Sequence, residues 1–240
     1  MRHIVCVSGG KDSAALAIFM KKEMGMEIEL VFCDTGRELP EVYSFLETLG
    51  DKLNQEVKKL SYCGRDFDWY LREFSFFLPS AQSRWCTRLL KIMPLERYIG
   101  NKQEVTVYIG IRADEMDREG NYGLKKNVIY QYPLRDNGIK LKDVIHLLNR
   151  HNIELPSYYN WRSVGGCWNC MFQRLNDWRG LKKFHPHYFS KCVEDEEKSL
   201  SLGRNFTWRM NLKLSNLTGE WIPPSEHEYE DITPCLICAK

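Results

Sequence analysis

The residues of this 240-residue chain that could do chemistry fall into two sets. The first is the run Ser8-Gly9-Gly10-Lys11-Asp12-Ser13. Its two glycines let the backbone turn tightly and approach a ligand with no Cβ in the way. Asp12 and Ser13 are good N-cap types, so a helix is predicted to begin at one of them. The N–H groups and positive dipole end of that helix point back at the turn and make an anion site. Lys11 adds a positive charge, and Ser8 and Ser13 add hydroxyl donors. The chemistry implied is binding of a phosphate chain; the plainer alternative is a capped turn with no ligand. A Walker A loop is excluded, because the G-x-x-x-x-G-K-[ST] spacing is absent.

The second set comes from the nine cysteines. Cys6 and Cys33 fall in predicted core strands and read as small buried hydrophobes, and Cys63 has no partner at a useful spacing. Cys86, Cys167, Cys170, Cys192, Cys235 and Cys238 remain. Cys167-x-x-Cys170 and Cys235-x-x-Cys238 are two knuckles that would suit structural Zn²⁺. Four thiolates suit an iron–sulfur cluster equally by number. Cys192 lies within a helical stretch and reads as buried, and His185-Pro186-His187 reads as an exposed turn.

These residues must be positioned by the elements around them. Ile4-Val5-Cys6-Val7 is a short buried strand, and Ala14 to Met20 continues as a helix. Further strands are predicted over Glu27–Cys33, Glu56–Leu60, Glu104–Ile111 and Ile129–Leu134. Helices are predicted from Pro40 through Leu53, over Asp66–Phe74, Arg84–Ile99 and Lys140–His151, and around Leu175–Phe184 and Tyr188–Leu200. This alternation predicts an α/β fold, a Rossmann-like parallel sheet with helices on both faces, followed by a helical, cysteine-containing C-terminal region. Ligands bind beyond the carboxyl ends of such strands. The phosphate-binding run, Asp34-Thr35-Gly36 and Gly110-Ile111-Arg112 all fall there. Arg84, Arg88 and Lys91 recur at helical spacing, either as a solvated face or as a positive wall for a polyanion. Most of the tryptophans read as core.

Ser8 to Ser13 resembles the PP-loop of the ATP pyrophosphatase (adenine nucleotide alpha hydrolase) superfamily. Asp34-Thr35-Gly36 with Pro40-Glu41, Arg84-Trp85-Cys86-Thr87 with Lys91, Gly110-Ile111-Arg112-Ala113-Asp114-Glu115 and Gly166-Cys167-x-x-Cys170 extend the likeness. Together they resemble the phosphoadenosine phosphosulfate (PAPS) reductase-like branch, over roughly residues 3 to 200. The resemblance implies that residues 1–120 are a nucleotide-binding core and 121–240 a helical region packed on it. It implies that Ser8, Gly9, Gly10, Lys11, Asp12 and Ser13 cradle the terminal phosphates and that Asp34 lies near the nucleotide or Mg²⁺. Gly110 and Arg112 would meet a phosphate or the substrate's anionic end, with Lys11, Asp12, Asp34 and Arg112 carrying the catalysis. A guanidinium fork suits an oxyanion. Some members of the branch hold a [4Fe–4S] cluster through a Cys-Cys pair and a later Cys-x-x-Cys. Cys86 stands where the pair would, flanked by Trp85 and Thr87, so one ligand of the pair is missing. The implied set is Cys86, Cys167, Cys170 and a fourth thiolate, Cys235, with Cys238 and Cys192 as alternatives.

Two enzyme reactions follow from the resemblance. One cleaves ATP to AMP and pyrophosphate to activate a substrate, for sulfur transfer to a nucleic acid or nucleoside, with a sulfur-donor protein such as a cysteine desulfurase as partner. The other is sulfonucleotide reduction with release of sulfite. The intact loop with Lys11 favours ATP, and the tail Thr233-Pro234-Cys235-Leu236-Ile237-Cys238 lacks the reductases' Glu-Cys-Gly-x-His motif. A non-catalytic nucleotide-binding module is the alternative from outside enzymology. The net charge of +2 excludes a global field for nucleic-acid binding, and the hydrophobic share of 43% is that of a folded protein. No apolar run approaches membrane-spanning length, and with no secretory signal read at Met1 a cytoplasmic location is expected.

Overall fold

The sheet is wound outward from its first strand. The computed structural model describes residues 1–115 and 125–223. Five parallel strands lie in the order β3-β2-β1-β4-β5: β1 (Arg2–Cys6), β2 (Glu29–Cys33), β3 (Val57–Leu60), β4 (Val105–Tyr108) and β5 (Val128–Gln131). Ile4 and Val5 of β1 have no exposed surface and point into different cores, so both faces must be covered by helices. The predicted strands are found with shifted ends: β2, β3 and β4 are trimmed, whereas β1 starts two residues and β5 one residue earlier than predicted. The chain steps from β1 to β2 to β3 on one side and then returns to place β4 on the other. The switch falls between the loops that follow β1 and β4, the position at which sheets of this kind bind ligands.

Helix α1 (Lys11–Ile18) follows β1 and continues through a π-helical turn, Phe19–Glu23. Its Ala14, Ala15 and Ala17 are fully buried, and their small side chains let the helix lie close to the sheet and to α7 (Leu141–Arg150). Helix α2 (Pro40–Leu53) buries the predicted stripe Val42, Phe45, Leu46, Leu49 and Leu53, and ends at Asn54 in the left-handed conformation. Helix α3 (Phe67–Glu73) is capped by Asp66, whose side chain accepts from the Trp69 N–H. The predicted basic helix is real but composite: α4 (Trp85–Thr87), a π-helical turn (Arg88–Ile92) and α5 (Met93–Ile99) run on from one another. A short α6 (Pro133–Asp136) precedes α7, and α8 (Leu175–Phe184) and α9 (Pro186–Ser201) follow.

The second half of the chain does not stand apart. β5 pairs with β4, and α7 packs on α1, so a boundary at residue 120 falls inside the sheet unit. Trp178, Leu181, Phe189 and Cys192 of α8 and α9 share one core with α1 and α2. One cation crosses the seam. Arg37, in the loop after β2, has no exposed surface. Its Nη1 lies 2.7 Å from Asp195 of α9 and its Nη2 pairs with Asp68 of α3. Its guanidinium sits 4.5 Å from the Phe67 ring and 4.6 Å from the Trp168 ring. Among the described residues no helix is long and apolar enough to cross a membrane.

Removing one partner of a buried pair strands the other charge, which costs about 3–5 kcal/mol. Asp195→Ala is therefore expected to lower the free energy of unfolding by that much, read in urea as a lower midpoint with an unchanged slope. A loss below about 1 kcal/mol, the size of a surface pair, would mean that Arg37 is held by something else.

Candidate functional site

The phosphate-binding run forms the turn between β1 and α1, and its hydroxyls are spent on the turn itself. The helix begins at Lys11 with Gly10 as N-cap, one or two residues earlier than predicted. Neither Asp12 nor Ser13 caps it. The Ser13 hydroxyl donates to the Gly10 carbonyl at 3.1 Å, and Ser13 Oγ accepts from the Ser8 N–H at 3.0 Å. Gly9 has φ +73°, and a Cβ there would stand 2.5 Å from Val42 of α2, so only glycine fits. Gly110, after β4, presses on the first turn of α1: a Cβ would lie 3.0 Å from the Asp12 carbonyl oxygen. Its observed role is close packing that brings the loops after β1 and β4 together.

The cations of the rim are buried and already partnered. Lys11 is 6% exposed and reaches Asp12 at 3.5 Å. Burial pushes its pKa down, but the Tyr159 phenol and the Asp12 carboxylate outweigh this and hold it above the usual value. Arg112 is also buried; it bonds Asp12 and Asp114 at 2.9 Å each, with Glu115 at 3.8 Å. These carboxylates overcome desolvation and raise it further. The open fork expected from sequence is thus an engaged one, fastening the start of α1 to the loop after β4. Asp34, at the end of β2, accepts from the Gly36 N–H and the Tyr43 hydroxyl, both at 2.9 Å.

Beside this rim lies a small cavity lined by Cys86, Cys167 and Cys170 together with Thr35, Lys91 and Asn169. The predicted cysteines from α4 and from the loop before α8 therefore line the same space. Arg162 has no exposed surface and donates to the carbonyls of Gly166 and Cys167 at 3.1 and 2.9 Å, which fixes the loop. The Cys167 thiol is 3.3 Å from Thr35 Oγ1 and 3.5 Å from Glu38 Oε1. Burial, with the Glu38 charge adding, pushes it up to about 12. Glu38 is itself pushed up to about 7 by burial. Among the described residues no three His, Cys, Asp or Glu side chains stand at ligating distance of one point. The donor chemistry nevertheless fits a thiolate-bound metal group. Three thiols face one space, Lys91 adds positive charge, and the Asn169 amide, 2% exposed, has no hydrogen-bond partner. An unpartnered buried amide costs about 1–3 kcal/mol, which an occupant of the cavity would relieve.

Other expectations divide. Cys235 and Cys238 lie outside the described residues. Cys192 is fully buried on α9. Cys6 and Cys33 are only partly buried, packed against the smaller core, and the Cys33 thiol donates to the Lys91 carbonyl at 3.3 Å. Arg84, Arg88 and Lys91 do not form one wall: Lys91 lines the cavity, Arg84 lies over Phe172, and Arg88 is exposed. The π-helical turn breaks the 3.6-residue period on which that stripe depended. His185 is no exposed turn; its Nε2 is 3.0 Å from Glu41 of α2. Sequence reasoning missed Arg37, Glu38, Tyr158, Tyr159, Arg162 and Asn169. The usable signals were an Arg-Glu pair just past Asp34-Thr35-Gly36 and two adjacent tyrosines just before Gly165-Gly166-Cys167.

Residues 2–173 match the model of the phosphoadenosine phosphosulfate reductase domain. The chain belongs to the PAPS reductase family. That family's α/β fold is the sheet described above. The phosphoadenylyl-sulfate reductase of Candida auris, solved as a phosphate complex, superposes with a TM-score of 0.54 at 14% identity, covering 70% of this chain and 82% of its own. The U34-tRNA thiolase NcsA of Methanococcus maripaludis, with its [4Fe–4S] cluster, aligns over 86% of this chain and 74% of its own at 17% identity. Its TM-score of 0.48 is too low to carry fold or function across. In sequence, the nin region protein ORF290 of Escherichia phage lambda is 29% identical, covering 100% of this chain and 91% of its own. A phosphoadenosine 5′-phosphosulfate reductase of Vibrio atlanticus is 23% identical over 77% of this chain and 68% of its own. Two uncharacterised proteins of Methanocaldococcus jannaschii are each 26% identical, and the chain spans 40% and 46% of their lengths.

A thiol held near pKa 12 is almost all protonated at pH 8 and reacts slowly, since the thiolate is the nucleophile. In metal-free protein, iodoacetamide at pH 8 is expected to modify Cys167 at least about tenfold more slowly than exposed Cys63. Peptide mapping by mass spectrometry reads the two rates; equal rates would contradict the assigned environment.

Proposed function

We propose that this protein cleaves ATP between its α and β phosphates to adenylate an acceptor oxygen, and that a sulfur nucleophile then bonds to the acceptor carbon as the C–O bond breaks and the oxygen leaves with AMP. The observation that carries the reading is an intact PP-loop, with Lys11 at the topological switch point, directly beside a cavity shared by three cysteines. Thr35 joins the two, since it follows Asp34 at the rim and its Oγ1 touches the Cys167 thiol.

In this reading the acceptor oxygen attacks the α-phosphorus, the Pα–O bond to the β-phosphate breaks, and pyrophosphate leaves. Lys11 and the first N–H groups of α1 offset the charge that collects on pyrophosphate. Asp34 is the rim carboxylate that would face Mg²⁺. Arg112 orients Asp12 and the helix start, and would turn to a phosphate only by giving up a carboxylate. Cys86, Cys167 and Cys170 would hold the metal group, an iron–sulfur cluster in preference to Zn²⁺. Such a cluster supplies iron with affinity for sulfur. Cys235, Cys238 or an outside ligand would complete it. The acceptor would be a nucleic acid or nucleoside, and the sulfur would come from a donor protein such as a cysteine desulfurase.

Sulfonucleotide reduction is the second reading, favoured by the match to the reductase domain and by the Vibrio relative. It would need a cysteine of the 224–240 segment, Cys235 or Cys238, as nucleophile.

Lys11→Ala is expected to lower AMP formation from ATP by about a hundredfold or more, the usual effect of removing a group that stabilises transition-state charge. Far-UV circular dichroism should be unchanged. Wild-type turnover in that variant would rule out the role given to Lys11.

A further inference from the structure

One side chain from the second half of the chain covers both anion-binding groups of Lys11. The Lys11 N–H, first in α1, donates to the Tyr159 hydroxyl at 3.3 Å, and the Lys11 ammonium lies 5.2 Å from the centre of the Tyr159 ring. A phosphoryl oxygen arriving at the PP-loop would therefore meet the Tyr159 phenol first. Tyr159 belongs to a short 3-10 turn, Ser157–Asn160, that is bound to the same loop at other points. The neighbouring Tyr158 hydroxyl donates to the Gly9 carbonyl at 2.8 Å. A Cβ on Gly165 would lie 2.9 Å from that hydroxyl and 3.7 Å from Gly10 Cα.

The turn leads straight to the thiols. The Arg162 N–H donates to the Tyr158 carbonyl at 3.0 Å, and the Arg162 guanidinium holds the carbonyls of Gly166 and Cys167. A contiguous set of contacts thus runs from the first amide of α1 to the backbone of a candidate metal ligand.

We infer that Tyr159 is a positioning residue that senses occupancy of the PP-loop and passes it to the cysteine loop. A phosphate chain replaces the phenol on the Lys11 amide. The displaced turn carries Arg162 and, with it, the loop from Gly165 to Cys170. The consequence is order: the thiol site takes its working arrangement only when nucleotide is bound. This rests on the PP-loop being a phosphate site, and the test separates the two ideas.

The full chain, purified anaerobically as it comes, is titrated with Mg-ATP and with pyrophosphate, and hydrogen–deuterium exchange is followed in peptides covering 156–170. Wild type should bind, and exchange in those peptides should change on binding. Tyr159→Phe removes the competing hydroxyl and should bind pyrophosphate about two- to tenfold more tightly, with the exchange change reduced or lost. Tyr159→Ala opens Lys11 further and should bind at least as tightly as Tyr159→Phe. If wild type and both variants bind alike and exchange in 156–170 does not respond, the inference is overturned while the nucleotide reading stands. If neither wild type nor variants bind either probe, both fall.

Discussion

A guanidinium without exposed surface holds the two halves of this site together. Arg37 leaves the end of β2, passes between the rings of Phe67 and Trp168, and ends on Asp195 and Asp68. Burying a charge is expensive unless its partners are already in place, so the arrangement forms as a unit or not at all. Its geometry decides what lies next to what. The Arg37 carbonyl accepts from the Trp168 N–H at 2.8 Å, so the stretch between Cys167 and Cys170 is pinned to the loop carrying Asp34, Thr35 and Glu38. The adjacency of the loop after β2 and the thiol cavity follows from that bond and from the ion pairs behind it.

The rim is pre-organised but self-satisfied. Lys11 has Asp12 and Tyr159; Arg112 has Asp12, Asp114 and Glu115; Ser8 and Ser13 have each other. A polyanion must exchange these internal partners for its own oxygens. Asp12 is central to that exchange, because it is shared by both cations and links the first turn of α1 to the loop after β4. The thiol cavity has the opposite character. Cys167 and Glu38 both hold their protons more tightly than usual because they are buried, and the Asn169 amide lacks a partner. The Lys11 rim is complete in itself, whereas the thiol side contains the Asn169 amide, which an occupant would satisfy.

Much of this was legible in the sequence, for identifiable reasons. Gly9 and Gly10 between a four-residue apolar run and an alanine-rich stretch can only be a strand–turn–helix, and α2 announces its buried face through Val42, Phe45, Leu46, Leu49 and Leu53. Cys86, Cys167 and Cys170, grouped in sequence only through the family resemblance, line one cavity. The helix start was misplaced because Ser13 and Asp12 look like caps, yet one bonds backward to Gly10 and the other is drawn to Arg112. Such tertiary partners leave no local trace. The same holds for Arg37, which reads as an ordinary loop arginine until α9 is folded over it, and for Tyr159, whose partner is far away in the chain. The π-helical turn at Arg88–Ile92 was also invisible, and it redirected the basic residues.

The most direct test of the central claim is a comparison of two nucleotides. Anaerobically purified protein is incubated with Mg-ATP, and separately with adenylyl sulfate and a thiol reductant, and the products are resolved. AMP and pyrophosphate from ATP, increased by a nucleic-acid or nucleoside pool, is the predicted result. AMP and sulfite from adenylyl sulfate, with ATP left intact, would contradict it and move the chemistry from Lys11 to a cysteine nucleophile.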